Sequence, residues 1–182
     1  MESKFWIDTW NNKKIGFHYD QPNPLLLVHF NKLKLTRGDS ILLPLCGKTA
    51  DLYWLMDQDV KVCGVELSKI AIEEFFKENN LDYKTRIDGV FTVYFNNKVE
   101  IYHGDFFAFH RSIEKTFDAV FDRASLVALP EAMREKYYIE INKLLKDKGR
   151  YLLISFEYDQ SSMDGPPFSV RKIRDSCKYQ IH

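Results

Sequence analysis

The sequence predicts a doubly wound α/β fold built on a mostly parallel sheet. Two features lead to this prediction: strands alternate with amphipathic helices along the chain, and several strands are apolar at nearly every position. Strands of that composition are typical of parallel sheets that helices cover on both faces. We therefore expect a ligand crevice beyond the carboxyl ends of the strands, where such sheets bind small molecules.

The first 35 residues are predicted to form an aromatic segment and one helix. The opening, from Glu2 to Asp20, shows no regular pattern, although it carries large aromatic side chains: Phe5, Trp6, Trp10, Phe17 and Tyr19. Pro24 is a residue typical of a helix start. Apolar residues follow it at helical spacing: Leu26, Leu27, Phe30 and Leu33.

The predicted core begins with two strand–helix units. The first strand runs from Ser40 to Leu45 and breaks at a turn around Gly47. The short helix that follows has an apolar stripe: Leu52, Leu55 and Met56. The second strand runs from Val60 to Glu66, and Ser68 is the residue type that caps a helix N-terminus. Apolar residues in this second helix are Ile72, Phe75 and Phe76.

Further strands and one long helix are predicted after residue 90. The segment "FTVYFNNKVEIYHGD" has the pattern of a β-hairpin with Asn96–Asn97 as its turn, and "FDAVFD" from Phe117 is another strand. Glu131 to Lys146 is predicted to form an amphipathic helix that Gly149 terminates. The last strand, "RYLLISFEY", begins at Arg150.

The length and the charge balance limit what the chain can be. Its 182 residues suffice for one domain, which we divide into an N-terminal aromatic lid and helix (1–35), an α/β core (36–160) and a C-terminal loop with the start of a helix (161–182). Basic and acidic residues both number 26, and no basic block stands out, which argues against nucleic acid as the main partner.

Cysteine spacing and hydropathy exclude further classes. Cys46, Cys63 and Cys177 show no CxxC spacing, and the chain has no HExxH motif, so we expect no metal site. The N-terminus lacks the apolar stretch of a signal peptide, and no apolar run is long enough to span a bilayer. We therefore expect a reduced, cytoplasmic enzyme that binds neither nucleic acid nor membrane.

Polar or conformationally permissive residues stand at four predicted strand ends. They are Leu45–Gly47, Glu66, Asp105 and Asp122–Arg123. Because the carboxyl ends of parallel strands meet at one edge of the sheet, we expect these residues to line the ligand crevice.

The first turn and the acid after the second strand predict the class of ligand. Glu66 can accept hydrogen bonds from both hydroxyls of a ribose. A dinucleotide requires a GxGxxG turn, whereas "LPLCGKTADL" has one glycine, Gly47, which disfavours a pyrophosphate and hence an NAD dehydrogenase. The "GKT" at Gly47 also lacks the earlier glycine of a Walker A loop. A nucleoside without phosphate fits better, and S-adenosylmethionine is the common one.

The acid in "HGDFF" has two interpretations. Asp105 can accept a hydrogen bond from an adenine amino group while Phe106 lies against the ring, or it can cap the turn that follows. The spacing favours neither. For Glu66 the ligand-binding interpretation is favoured, because a carboxylate directly after an apolar strand needs a partner.

Several motifs together resemble the thiopurine S-methyltransferases, particularly the bacterial members. They are "FWIDTW…GFH", "LPLCGK", "GVELS", "GDFF", "DRASLVALP" and "GPPF". The resemblance covers most of the chain, from about Phe5 to Val170. It implies a Rossmann-like class I methyltransferase that uses S-adenosylmethionine to methylate the sulfur of thiopurines or related small aromatic thiols.

The resemblance also implies roles for individual residues. The implied cofactor-binding residues are Trp10, Leu45, Glu66, Asp105, Phe106 and Arg123. Phe17 resembles the aromatic contact near the substrate sulfur, and "GPPF" at 165–168 resembles a substrate-side loop. No catalytic acid or base is expected, because a thiopurine sulfur is nucleophilic as the thiolate or thione.

Structural alternatives exist for these residues and for the function. Trp10 and Phe17 can be packing residues, and Arg123 can form a structural salt bridge with Asp122 or Glu157. A methyltransferase acting on other small sulfur, selenium or tellurium nucleophiles has the same features. A non-catalytic remnant that only binds the cofactor would show these features as well.

The end of the sequence differs from the family pattern. Family members continue beyond "GPPF" with a helix and two antiparallel strands, so the resemblance implies a C-terminally truncated chain in which "SVRKIRDSCKYQIH" begins that helix. We expect a monomer in which the strand from Phe117 or Arg150 has an uncovered edge, through which association could occur.

Overall fold

The computed structural model describes residues 3–170 and 180–181, and eight strands within those residues form one sheet. The strands are β1 (Ser40–Pro44), β2 (Lys61–Glu66), β3 (Lys84–Asp88), β4 (Phe91–Phe95), β5 (Val99–His103), β6 (Phe117–Arg123), β7 (Leu145–Ile154) and β8 (Gln180–Ile181). The α-helices are α1 (Ser3–Asn11), α2 (Pro24–His29), α3 (Ala50–Leu55), α4 (Lys69–Glu78), α5 (Phe106–Ser112) and α6 (Glu131–Leu144).

The strand order confirms the predicted fold class. The sheet runs β3-β4-β5-β2-β1-β6-β7-β8, and every neighbouring pair from β5 to β8 is parallel. The predicted hairpin is also confirmed, because β4 and β5 pair antiparallel on either side of residues 96–98. The chain continues from β1 to β2 on one side of the sheet and later to β6 on the other side. This change of direction places a topological switch point at the carboxyl ends of β1, β2 and β6.

Apolar side chains from the central strands fill a separate core on each face of the sheet. Leu42 faces the core formed with α5 and α6, while Ile41 and Leu43 face the core formed with α3 and α4. All three are at most 3% exposed. Both faces of the strand are therefore buried, as its continuous apolar sequence predicts. Across the described residues, no helix combines the length and apolar composition that crossing a bilayer requires.

Two element boundaries differ from the sequence prediction. The opening segment is not irregular: α1 places Trp6 and Trp10 one turn apart, and both rings contact Phe17 with centroids 5.8 Å away. Helix α6 ends at Leu144, and β7 begins directly at the next residue rather than at Arg150. Strand pairing between Leu145 and Phe117 accounts for this earlier start.

The sheet edge beyond β7 also differs from expectation. Strand β6 is interior, because it pairs with β1 and β7, so the edge predicted for the Phe117 strand does not exist. Strand β7 pairs in parallel with β8 at Tyr151 and Leu152. The predicted C-terminal helix falls largely on residues 171–179, which lie outside the described residues.

A buried carboxylate fixes the end of β6 to the elements around it. Asp122 is fully buried and accepts hydrogen bonds from the hydroxyls of Tyr137 and Tyr151, both at 2.6 Å, and from the backbone N–H of Leu126 at 3.1 Å. Burial raises the pKa of Asp122, while these donors act in the opposite direction. The network joins α6 and β7 to the strand tip that carries the next residue, Arg123.

Replacing Tyr137 with phenylalanine is expected to destabilise the fold by about 1.5–3 kcal/mol, because a buried carboxylate then loses one of its donors. Urea unfolding measures the change. Tyr53→Phe is the control, since Tyr53 is 44% exposed and its loss is expected to stay within about 0.5 kcal/mol. Equal stabilities for the two variants would contradict the role assigned to the Asp122 network.

Candidate cofactor site

The turn after β1 brings the backbone close to an aromatic ring. Leu45 and Gly47 have φ of +46° and +54°, so the chain reverses sharply there. A Cβ atom on Gly47 would lie 2.9 Å from the ring of Trp10, which is 5% exposed. The turn therefore requires glycine both for its conformation and for the approach of Trp10.

Glu66, at the tip of β2, links this turn to the next one. Its Oε2 accepts a hydrogen bond from the Gly47 N–H and its Oε1 accepts one from the Ser68 N–H, each at 2.7 Å. The residue is 5% exposed, and burial raises the pKa of Glu66 even though the backbone donors oppose this effect. The structure thus brings together the glycine and the acid singled out in the sequence.

This arrangement fits a ribose better than a phosphate. Each carboxylate oxygen has two lone pairs, so Glu66 retains acceptor capacity for ribose hydroxyls after binding the two N–H groups. The Gly47 N–H, which a phosphate-binding turn would offer to its ligand, already binds a negative charge. Lys48 is likewise engaged, because its Nζ lies 2.8 Å from Glu74 and 2.6 Å from Glu78 on α4.

Asp105 and Phe106, which follow β5, lie in different environments. Asp105 is exposed and caps α5 by accepting a hydrogen bond from the Phe107 N–H at 2.9 Å, as the capping interpretation predicts. Phe106 is 1% exposed, and its ring packs in the core 5.2 Å from that of Tyr137. Its ring is therefore not presented to the crevice, because the first residue of α5 faces inward. Contact between Asp105 and an adenine stays a prediction.

Arg123, at the tip of β6, holds the N-terminal segment. Its guanidinium donates a hydrogen bond to the carbonyl of Phe17 at 2.8 Å and lies 5.0 Å from the centroid of the Tyr19 ring. The neighbouring Asp122 carboxylate instead binds tyrosine hydroxyls, so it does not serve as the salt-bridge partner considered above. The arginine thus joins the sheet tip to the aromatic segment.

The aromatic segment covers the turn after β1. Trp10 packs over Gly47, and Phe17 lies edge-on to Trp10 and Trp6. Phe17 is half-buried, whereas Tyr19 is 64% exposed. Trp10 therefore packs against the turn at Gly47, and it is also a candidate to line the crevice.

The "GPPF" loop lies at the same end of the sheet. The Phe168 N–H donates to the carbonyl of Val127, which follows β6, at 2.6 Å. Gly165 has φ of +78°, and a Cβ there would lie 2.5 Å from the Phe168 ring. Arg134 of α6 places its guanidinium 5.7 Å from the same ring. This loop is thus packed beside the segment that follows the β6 tip.

Asp51 is a buried polar residue at this end of the sheet that the sequence did not indicate. It is 2% exposed and accepts a hydrogen bond from the Asn23 N–H at 2.6 Å. Its partner is a backbone group 28 residues away, which no side-chain pattern can show. The sequence signal available is an acid in the first turn of α3, after the capping residue Thr49.

The opposite end of the sheet offers a less convincing site. A cavity of about 250 Å³ lies there beside Lys34, Asp118 and Lys146. Asp118 already pairs with the Lys146 Nζ at 2.9 Å and accepts from the Ser40 N–H at 2.8 Å. Within the described part of the chain, no group of three or more His, Cys, Asp or Glu is arranged to hold a metal ion.

Comparison with known proteins points to one family. The family model described as Thiopurine S-methyltransferase (TPMT) matches residues 1–179. The chain is 43% identical over 171 residues to the thiopurine S-methyltransferase of Pseudomonas putida, covering 94% of this chain and 79% of that protein. It is 44% identical over 182 residues to the thiopurine S-methyltransferase of Bordetella petrii, covering 100% and 83%.

Solved structures of lower identity share the fold. A 1,6-didemethyltoxoflavin-N1-methyltransferase from Burkholderia thailandensis, solved with S-adenosylhomocysteine, matches with a TM-score of 0.65 at 16% identity, covering 86% of this chain and 62% of that one. A TehB-like SAM-dependent methyltransferase from Corynebacterium glutamicum matches with a TM-score of 0.52 at 20% identity, covering 82% and 70%. Both support the Rossmann-like architecture described above.

Glu66→Gln is expected to raise the dissociation constant for S-adenosylmethionine about tenfold or more. A glutamine cannot accept both the Gly47 N–H and the Ser68 N–H, so one buried donor loses its partner. Calorimetric titration measures the constant. Glu73→Gln is the matched control, because Glu73 is 43% exposed and pairs with Lys69 at the surface. Unchanged affinity in a folded Glu66 variant would refute its ribose role.

Gly47→Ala is expected to weaken cofactor binding and to lower stability more than Gly38→Ala does. Both glycines have positive φ, so an alanine at either position is expected to destabilise the fold by roughly 1–2 kcal/mol through its backbone conformation alone. A Cβ at Gly47 also meets the Trp10 ring at 2.9 Å, whereas one at Gly38 has no neighbour within 4 Å. Urea unfolding and cofactor titration of both variants check this. Matching losses would show that the Trp10 contact contributes nothing.

Proposed function

The chain belongs to the thiopurine S-methyltransferase family, and on that basis we propose that it transfers the methyl group of S-adenosylmethionine to the sulfur of a thiopurine or related small aromatic thiol. The match to the family over residues 1–179 is the observation that carries this proposal. The geometry around Glu66 supports it independently, because the turn suits a nucleoside without phosphates.

The residues of the crevice fit this cofactor. Glu66 is the proposed ribose ligand, and the backbone at Leu45, where φ is +46°, is the proposed contact for the amino-acid end. Trp10 is the proposed aromatic cover, and Arg123 is proposed to contact the cofactor from the β6 tip. For Phe106 the proposed contact with adenine is restricted to the main chain, because its ring lies in the core.

The bound cofactor supplies an electrophilic methyl group on a sulfonium. The group that leaves when this methyl is transferred is a neutral thioether, which is already a good leaving group. The protein therefore has to align the accepting sulfur with that methyl and exclude water. The rings of Trp10 and Phe17 suit this task, because aromatic faces tolerate a nearby cation and shed water. No acid–base residue is assigned, since the accepting sulfur is nucleophilic without one.

We propose a small-molecule substrate and a monomer, with association through the β8 side of the sheet as the alternative state. The cytoplasmic location stays a prediction.

The proposed function is tested on one protein sample by two measurements. Calorimetry with S-adenosylmethionine is expected to show saturable binding, and incubation with 6-mercaptopurine is expected to yield the S-methyl product. A panel that adds thiophenol and inorganic selenite separates aromatic thiols from other nucleophiles. Binding without turnover of any acceptor would identify a cofactor-binding remnant, and the absence of binding would refute the proposal.

Phe17→Ala is expected to lower kcat/KM for the thiopurine about tenfold while the cofactor dissociation constant changes less than about threefold, because we propose that this ring, which packs edge-on against Trp10, lies on the substrate side. Steady-state kinetics and calorimetry give the two values. Phe5→Ala is the control, since Phe5 is 45% exposed and contacts Trp6 from outside. Loss of cofactor binding in a folded Phe17 variant would show that the ring belongs to the cofactor site.

A further inference from the structure

The segment from Phe17 to Asn23, here called the strap, connects the aromatic lid to α2. Residues 19–21 of the strap are exposed, and hydrogen bonds hold its two ends to different elements. At one end the Phe17 carbonyl accepts a hydrogen bond from Arg123, the last residue of β6. At the other end the Asn23 N–H donates to Asp51 of α3, which follows β1.

The Asn23 end of the strap is stiff and depends on one backbone donor. Asn23 stands between Pro22 and Pro24, and proline has no N–H, so Asn23 supplies the backbone N–H of this triplet. Its φ and ψ of −62° and 125° are the extended conformation that a following proline requires. A single hydrogen bond from this residue therefore orients the whole triplet.

Asp51 connects that donor to the cofactor turn. Its Oδ1 accepts the Asn23 N–H at 2.6 Å, and its Oδ2 accepts the hydroxyl of Thr49 at 2.8 Å. Thr49 lies two residues after Gly47 and caps α3. Burial raises the pKa of Asp51, an effect that the Asn23 N–H, Thr49 and the charge of Arg123 oppose. The carboxylate therefore stays buried among donors instead of facing water.

We propose that Asp51 is a positioning residue for the ring of Phe17. By accepting the Asn23 N–H, Asp51 restricts the conformations of the strap, and this restriction keeps Phe17 over the crevice. This inference rests on the proposed methyl transfer. Asp51 touches neither substrate nor cofactor in this proposal, and it acts through the strap together with Arg123. Releasing one end gives Phe17 more conformational freedom, which weakens substrate alignment more than cofactor binding.

Two substitutions release the Asn23 end of the strap, and two others leave it in place. Asp51→Ala removes the acceptor, and Asn23→Pro removes the donor while keeping a φ that proline adopts. Asn23→Ala is the matched control: it deletes the cap that accepts from the Leu25 N–H, as Asn23→Pro also does, but it retains the N–H that Asp51 binds. Asp51→Asn is the rescue variant, because its carbonyl accepts the Asn23 N–H and its amide can donate to Thr49.

Kinetics, calorimetry and hydrogen exchange decide the proposal. Asp51→Ala and Asn23→Pro are expected to raise KM for the thiopurine about tenfold and to change the cofactor dissociation constant less than about threefold. Both are also expected to speed exchange of the His18 amide in the strap, whose N–H donates to the Ile15 carbonyl at 2.8 Å. Asn23→Ala and Asp51→Asn are expected to stay within about twofold of the parent in all three.

Three results would overturn the proposal. They are an increase in the cofactor dissociation constant equal to that in KM, identical behaviour of Asn23→Pro and Asn23→Ala, and unchanged exchange in the strap of both release variants. The exchange measurement does not depend on turnover, so it decides the role of Asp51 even if the parent protein methylates no thiopurine. Should Asp51→Ala fail to fold, the proline–alanine pair at Asn23 gives the same decision.

Discussion

The carboxylate of Glu66 is the interaction on which the site depends. It receives the N–H groups of Gly47 and Ser68, each at 2.7 Å, and so fixes the turns after β1 and β2 relative to each other. A buried carboxylate without such donors would be costly, and a turn with an unpaired buried N–H would be costly as well. The same contact sets the ligand class, because it fills the amide that a diphosphate would use and leaves lone pairs for hydroxyls.

The other strand tips extend this arrangement outward. Asp122 anchors the end of β6 through the two buried tyrosine hydroxyls, which holds the backbone from which Arg123 reaches the Phe17 carbonyl. Asp51 fastens Asn23 close to the turn at Gly47. Buried acids after β1 and at the ends of β2 and β6 therefore organise the rim, while the aromatic rings of the N-terminal segment form its cover. The apolar cores on the two faces keep these tips in register.

The sequence predicted the parts whose signals are local. An apolar strand ending in a lone glycine, and another ending in an acid, were sufficient to place Gly47 and Glu66 at one site. Strand β3 was missed because its sequence, "KTRID", is mostly polar and its residues are exposed or half-buried, so it lacks an apolar signal. Phe106 was assigned to a ligand, yet the first turn of α5 faces the core. Asp51 was missed because its partner is a distant backbone N–H.

The most direct test of this account is a set of parallel calorimetric titrations of the unmodified protein with S-adenosylhomocysteine, adenosine, NAD and ADP, followed by displacement. The account predicts that S-adenosylhomocysteine binds one site per chain and that NAD and ADP displace it no better than adenosine does. Tighter competition by either diphosphate than by adenosine would contradict the account, because it would show that the Gly47 amide is available to phosphate despite the Glu66 carboxylate.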